Sequence, residues 1–186
     1  MKRGKLFVIS GPSGAGKGTI CKLLAGEPET ALSVSMTTRD PRTNETPGIS
    51  YFFVTEEEFR RGIRENCFLE YAEVHGKLYG TPRLWVIEKL DEGLDVILEI
   101  DVQGALMVKD QFPDAVLVFI EPPSVEEMVR RMQARGSENQ ETMVRRIEAA
   151  TAEMTYSKRY DYVVINDILD EAVDRVRSII LENRRS

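Results

Sequence analysis

The sequence predicts an α/β fold: a parallel sheet flanked by helices, with a small mixed α+β insertion and a helical lid. Three observations predict it. Strand-like and helix-like segments alternate along most of the chain, the rhythm of a parallel sheet. The apolar run Leu6-Phe-Val-Ile9 opens directly into Gly11-Pro-Ser-Gly-Ala-Gly-Lys17-Gly-Thr19, a strand–turn–helix junction. Between residues 35 and 81 the rhythm breaks into short strands around one charged helix.

The elements follow in order. Residues 6–10 read as the first strand and residues 17–25 as the helix after the Gly-rich turn. Residues 32–37 read as a short strand. Residues 38–50 hold Arg39, Pro41, Arg42, Pro47 and Gly48 and read as a polar loop. Residues 51–54 read as a strand, and Thr55-Glu-Glu-Glu58 is a capping box opening a helix that runs to Glu65. Residues 68–74 alternate as a strand and end at His75-Gly76, a hairpin turn. Residues 82–91 fit a helix with Pro82 at its favoured first position. Residues 94–100 form a long apolar strand ending at Asp101, followed by a helix over 102–110 and a buried strand over 115–120. Ser124-Val-Glu-Glu127 and Ser137-Glu-Asn-Gln140 are further capping boxes. They frame helices over 125–135 and 138–157, joined at Gly136. Residues 162–165 read as the last strand and 169–184 as the closing helix.

Bulk properties set limits. The 186 residues suffice for one well-buried domain, and 42% apolar with 30% charged residues is ordinary for a globular protein. The formal charge of −6 argues against a general nucleic-acid or membrane surface. Cys21 and Cys67 are isolated, without metal spacing, and fit a reducing cytoplasm. The apolar run after Lys5, about four residues, is too short for the hydrophobic region of a signal peptide, and nothing approaches a membrane span. His75 is the single histidine, which disfavours Ser-His chemistry and His-based metal sites.

The Gly-rich turn is a phosphate cradle. Its glycines let backbone N–H groups turn inward, the following helix points its positive dipole end at the same place, and Lys17 adds a full charge. This makes the fold a P-loop NTPase-type sheet. Asp101 lies at the carboxyl end of a strand, the edge where such sheets bind ligands. It suits a helix N-cap and a functional carboxylate, roles that are compatible, and the phosphate loop beside it favours the functional one. Arg131 and Arg135 share a helix face, and Arg145 and Arg146 lie on the next helix. Guanidinium forks there suit phosphate oxygens under a lid that excludes water. In the insertion, Arg39, Arg42, Tyr51 and Tyr79 make a monophosphate clamp. Glu70 alternates inward on its strand and matches the paired N1–H and N2–H₂ donors of guanine. On the residues alone, guanine is one candidate base among others.

Three segments resemble the guanylate kinases. They are Gly11 to Thr19; Ser35-Met-Thr-Thr-Arg39-Asp-Pro-Arg42 with Gly48 and Tyr51-Phe-Phe-Val54; and Phe68-Leu-Glu70-Tyr-Ala-Glu-Val-His-Gly-Lys-Leu-Tyr79-Gly-Thr81. Asp101-Val-Gln-Gly104, Arg131 to Gly136, Arg145-Arg146 and Asn166-Asp167 extend the match in order to the C-terminus. The resemblance implies transfer of the γ-phosphoryl of ATP to GMP or dGMP in purine metabolism, giving ADP and GDP with Mg²⁺. It assigns Ser35, Glu70, Thr81 and Asp101 to guanine, and Arg39, Arg42, Tyr51 and Tyr79 to the GMP phosphate. Gly11, Pro12, Ser13, Gly14, Ala15, Gly16, Lys17, Gly18 and Thr19 fall to ATP, with Arg131, Arg135 and Asn166. Lys17, Arg39, Arg135 and Arg146 are the expected catalytic cations.

The resemblance also implies a core of residues 1–34, 82–123 and 148–186, a GMP-binding lobe over 35–81 and a lid over 124–147. Two departures stand out. Gly18 occupies a position where Ser is common in the family, a variant that also resembles the adenylate kinase P-loop. Mg²⁺ is therefore expected on ATP oxygens and waters, near Thr19 and Asp101. Asn44 stands where Gly is frequent; Asn tolerates a positive φ better than most residues, so the loop is expected to survive unchanged. The alternative readings are a non-catalytic guanylate-kinase-like module that holds phosphopeptides, and a kinase with AMP as acceptor. Intact Lys17, Glu70 and lid arginines disfavour the first; the 35–81 lobe disfavours the second.

Overall fold

A computed structural model of the chain describes residues 2–74, 76–134 and 140–184. Its centre is a five-stranded, all-parallel sheet. The strands are β1 (Leu6–Ser10), β2 (Thr30–Leu32), β7 (Asp95–Glu99), β8 (Val116–Glu121) and β9 (Tyr162–Ile165), in spatial order β2-β7-β1-β8-β9. Strand β1 lies between β7 and β8, so the turn after it opens at the middle of the sheet's carboxyl edge.

Period-two alternation in β1 supplies both faces of the sheet. Phe7 and Ile9 join Ile97, Val118 and Ile120 on one face. There they pack against Ile20, Cys21 and Leu24 of α1 (Lys17–Leu24) and Val173, Val176 and Ile180 of α7 (Leu169–Arg184). Leu6 and Val8 join Val96, Leu98, Leu117 and Phe119 on the other. That face is covered by Val86 and Leu90 of α3 (Arg83–Asp91) and Ala105 and Val108 of α4 (Val102–Gln111). Each such side chain, fully withdrawn from water, stabilises the fold by about 1.5–3 kcal/mol before entropy is counted.

The insertion forms a second, mixed sheet in order β4-β3-β6-β5. It comprises β3 (Met36–Thr37), β4 (Phe52–Phe53), β5 (Phe68–Val74) and β6 (Lys77–Pro82). Helix α2 (Glu56–Arg64) starts at the expected capping box, with Thr55 Oγ1 and Glu58 satisfying each other's backbone N–H. Phe59 of α2 stacks on Phe68 at 4.4 Å and fixes the helix to the sheet. A register irregularity between Phe68 and Tyr71 lets Phe68, Leu69 and Glu70 all be buried while Tyr71 faces out.

Three boundaries differ from the sequence reading. Residues 32–37 are two strands, not one. Thr30–Leu32 pairs with β7 and Met36–Thr37 with β6, so a three-residue link passes the chain from one sheet to the other. Pro82 is not the first helical residue; it ends β6 and caps α3 in an extended conformation. Helices α5 (Val125–Ala134) and α6 (Gln140–Met154) follow β8, and residues 155–157, expected to continue the helix, instead tighten with 158–159 into a 3₁₀ turn. Met128 and Met132 pack against Ala150, Met143 and Ile147 to join α5 to α6. Ser124 Oγ accepts from the Glu127 N–H as expected. His75, Arg135, Gly136 and the start of the 137–140 capping box lie outside the described residues. Among the described residues, no helix is long and apolar enough to cross a membrane.

Candidate active site

One cleft runs between the two sheets. Its walls include Ser13, Gly16, Lys17 and Gly18 from the Gly-rich turn; Ser35, Arg39, Arg42, Tyr51, Glu70 and Tyr79 from the insertion; Glu99 at the end of β7 and Asp101 after it; and Arg146 and Glu153 from α6. Side chains assigned from separate sequence segments thus share one space.

The turn holds its shape through close approach. Gly11 has φ 144°, and a Cβ there would meet the Ile120 carbonyl oxygen at 2.1 Å. Gly16 has φ 90°, caps α1, and would carry a Cβ 2.3 Å from Asn166 Nδ2. Only glycine serves at both positions. Asn166 is buried and donates Nδ2 to the Ala15 carbonyl at 2.7 Å, bracing the turn from beneath. Arg131 donates to the Asn166 carbonyl at 2.9 Å and to Glu127 at 2.6 Å. Lys17 Nζ donates to the Gly11 and Pro12 carbonyls at 2.6 and 3.0 Å, folded back over the loop. Arg146 reaches across from α6 and donates to Ser13 Oγ at 2.7 Å.

On the insertion side, Arg39 Nε donates to the Tyr79 hydroxyl at 3.2 Å. The same guanidinium grips Glu45 through both carboxylate oxygens at 2.8 and 3.0 Å and lies 5.4 Å from the centre of the Tyr51 ring. Glu45 also accepts from the Arg42 N–H at 2.9 Å. Partial burial opposes ionisation of Glu45, but the hydrogen bonds from Arg39 and Arg42 outweigh it and hold the carboxyl below its usual range. Burial first, then the negative charge of Glu99, pushes the Tyr51 hydroxyl up to about 12, so it remains a donor.

Glu70 sits 4% exposed on β5 and accepts from Thr81 Oγ1 at 2.6 Å. Burial pushes its carboxyl up to about 7; the Thr81 hydrogen bond opposes that rise, and the charge of Asp101 adds to it. Gly104 of α4 leaves room for it, since a Cβ there would lie 2.4 Å from Glu70 Oε2. Asp101 caps α4 as expected, accepting from the Gln103 and Gly104 N–H groups at 2.7 and 3.2 Å.

Not every predicted residue borders the cleft. Thr19 is exposed on α1, and Arg131, Asn166 and Thr81 stand behind the lining, each bonded to a wall segment. Arg135 lies outside the described residues. Three carboxylates escaped the sequence reading: Glu45, Glu99 and Glu153. Glu153 follows Arg146 by about two turns of α6, a same-face spacing that was there to be seen. Burial raises its carboxyl, while Lys17 and the Ser13 N–H pull the other way. Cys21, buried and with its thiol pushed well up by that burial, is a packing residue.

A parallel sheet with a Gly-rich loop at the middle of its carboxyl edge, facing a lobe that carries Arg39, Arg42, Tyr51 and Tyr79 across one cleft, is the arrangement of a P-loop kinase. The sequence comparisons agree. A model of the guanylate kinase family matches residues 3–183. The chain is 53% identical to the guanylate kinase of Caldanaerobacter subterraneus subsp. tengcongensis over 184 residues, covering 98% of this chain and 89% of that one. It is 52% identical to the guanylate kinase of Clostridium acetobutylicum over 183 residues, covering 98% and 88%. The crystal structure of guanylate kinase from Anaplasma phagocytophilum superimposes with a TM-score of 0.85 at 35% identity, covering 100% of this chain and 88% of that one. The chain belongs to the guanylate kinase family and is a kinase.

Proposed function

We propose that this chain moves the γ-phosphoryl group of ATP to GMP, with the roles divided across the cleft as follows. ATP phosphates lie in the loop from Gly11 to Thr19, under Lys17 and Arg146. The GMP phosphate lies between Arg39, Arg42, Tyr51 and Tyr79. Guanine lies against Glu70, with Ser35, Thr81 and Asp101 beside it. The carrying observation is that Lys17 and Arg146 border the same cleft as Arg39, Tyr51, Tyr79 and Glu70.

A phosphate monoester oxygen is already nucleophilic near neutral pH, so no general base is needed. Catalysis rests on alignment and on neutralising charge as the phosphoryl group passes. Arg39 and the two tyrosines hold the attacking phosphate, and their hydroxyls donate to its oxygens. Lys17 leaves the carbonyls it caps and turns to the phosphates. Arg146, already on the loop, serves the transferring group, and the 124–147 lid excludes water that would otherwise take it.

The site fits Mg²⁺ arriving on ATP. Among the described residues no cluster of three or more His, Cys, Asp or Glu side chains forms a protein cage, but Glu99, Asp101 and Glu153 offer hard oxygen at the loop. Mg²⁺ bound there would neutralise phosphate charge. The residue 35–81 lobe, with its own clamp, supports GMP over the phosphopeptide-module reading, which no observation favours.

The deciding experiment mixes the protein with ATP, Mg²⁺ and GMP, dGMP or AMP and measures ADP. Rapid ADP formation with GMP and little with AMP is expected. Equal use of AMP, or none of any acceptor, overturns the reading.

A further inference from the structure

We infer that Arg83 and Gln111 are positioning residues for acceptor choice: they hold the backbone bulge that turns Glu70 towards the base. The inference rests on the reading of Glu70 as the carboxylate that meets guanine.

Strands β5 and β6 fall out of step at Glu70. Phe68 lies opposite Pro82 and Tyr71 opposite Gly80, so Leu69 and Glu70 of β5 share the single partner Thr81. Such a bulge takes backbone groups out of the ladder and re-aims the side chains beside it. Its effect is visible in the burial pattern. Phe68 and Tyr71 share one face, their rings 6.4 Å apart, which unbroken alternation would forbid. Leu69 joins the core cluster that includes Ala105 and Val108 of α4, and Glu70 lies against Gly104 of the same helix. Without the bulge, strict alternation would put Glu70 on the face of Phe68, towards the Phe59 ring and away from α4.

Side chains from the core take the carbonyls at the bulge. Gln111, the last residue of α4, donates Nε2 to the Leu69 carbonyl at 3.0 Å. Arg83, the first residue of α3, donates Nε to the Phe68 carbonyl at 3.1 Å and its backbone N–H to the Cys67 carbonyl at 2.8 Å. Arg83 Nη2 also donates to Gln111 Oε1 at 2.9 Å, which points the amide N–H₂ at Leu69. Strand β5 is an edge strand, so no strand on its outer side could hold the bulge instead. Neither Arg83 nor Gln111 borders the cleft; each reaches the base only through the backbone that carries Glu70.

Steady-state kinetics with GMP and ATP varied in turn, run as a double-mutant cycle with Glu70→Gln, test this. Gln111→Met and Arg83→Met each keep an apolar stem and remove the donor. Either should raise KM for GMP about threefold to tenfold, the scale of a lost hydrogen bond, with kcat and KM for ATP within about twofold. In the Glu70→Gln protein the same changes should add little, because the carboxylate they position is gone. An unchanged KM for GMP in both single variants overturns the inference. So does full additivity with Glu70→Gln, the mark of a merely structural residue. Should a thermal melt show Gln111→Met or Arg83→Met unfolded, Gln111→Asn, whose amide is one methylene short of Leu69, decides on the same cycle. If Glu70→Gln alone leaves KM for GMP unchanged, the guanine reading of Glu70 falls, and the inference with it.

Discussion

Thr81 donates its hydroxyl to the buried Glu70 carboxyl at 2.6 Å, and burial still pushes that carboxyl up to about 7. Desolvation outweighs the hydrogen bond. The sign follows directly. A carboxyl whose folded value is raised contributes most to stability when protonated, below the ordinary range near 4.5, and loses that contribution as pH climbs towards 7. Guanine N–H donors need the ionised form. GMP binding should therefore tighten as pH rises from 5.5 to about 7.5 and should release a proton. Titration calorimetry at pH 6.5 in buffers of different ionisation heat checks this; identical heats in all buffers would disprove it.

Gly104→Ala separates pocket from fold. The helix itself gains from alanine by about 1 kcal/mol. The new Cβ would lie 2.4 Å from Glu70 Oε2 and 3.0 Å from its Cδ, at the far end of that side chain, so the carboxylate must shift. The melting temperature should stay within a few degrees while KM for GMP rises tenfold or more, as about 1.4 kcal/mol of lost pairing requires. Thermal melts and steady-state kinetics read the two effects apart.

Lys17→Ala removes the charge that caps the Gly11 and Pro12 carbonyls. The Pro12 carbonyl also accepts from the Ala15 N–H, and Gly11 borders the cleft, where water can replace the ammonium, so the fold should survive. Turnover should fall by orders of magnitude, roughly the 10²–10³-fold seen when a preorganised donor is removed. A coupled ADP assay beside a circular dichroism spectrum checks both halves.

Glu45→Ala frees Arg39 from a two-oxygen grip and the Arg42 N–H from its acceptor. The guanidinium then loses its fixed aim. KM for GMP should rise about tenfold, the scale of one charge-assisted hydrogen bond, while KM for ATP stays within about twofold. Initial-rate kinetics with each substrate varied in turn provide the comparison; equal rises in both would mean a general loss of structure.

Much of this site was legible because glycine spacing, arginine placement and strand alternation are local. The loop at 11–19, the Thr55 capping box and the inward Glu70 each needed only a few neighbouring residues. Ranges that depended on distant partners were harder. Nothing within residues 32–37 reveals that β2 pairs with β7 and β3 with β6. Glu99 was overshadowed by Asp101, two positions on, whose place after the strand fits an N-cap so well. Glu45 carries no motif, and its role exists only because the 38–50 loop folds it back onto Arg39.

Glu45 on Arg39 and Glu153 beside Lys17 have a shared consequence. Arg39 and Lys17 each have a resident carboxylate beside them. An arriving nucleotide thus swaps places with an internal anion instead of entering an unscreened positive well. Ambient polyanions find little to attract them, and added salt should weaken substrate capture less than the number of arginines alone would suggest.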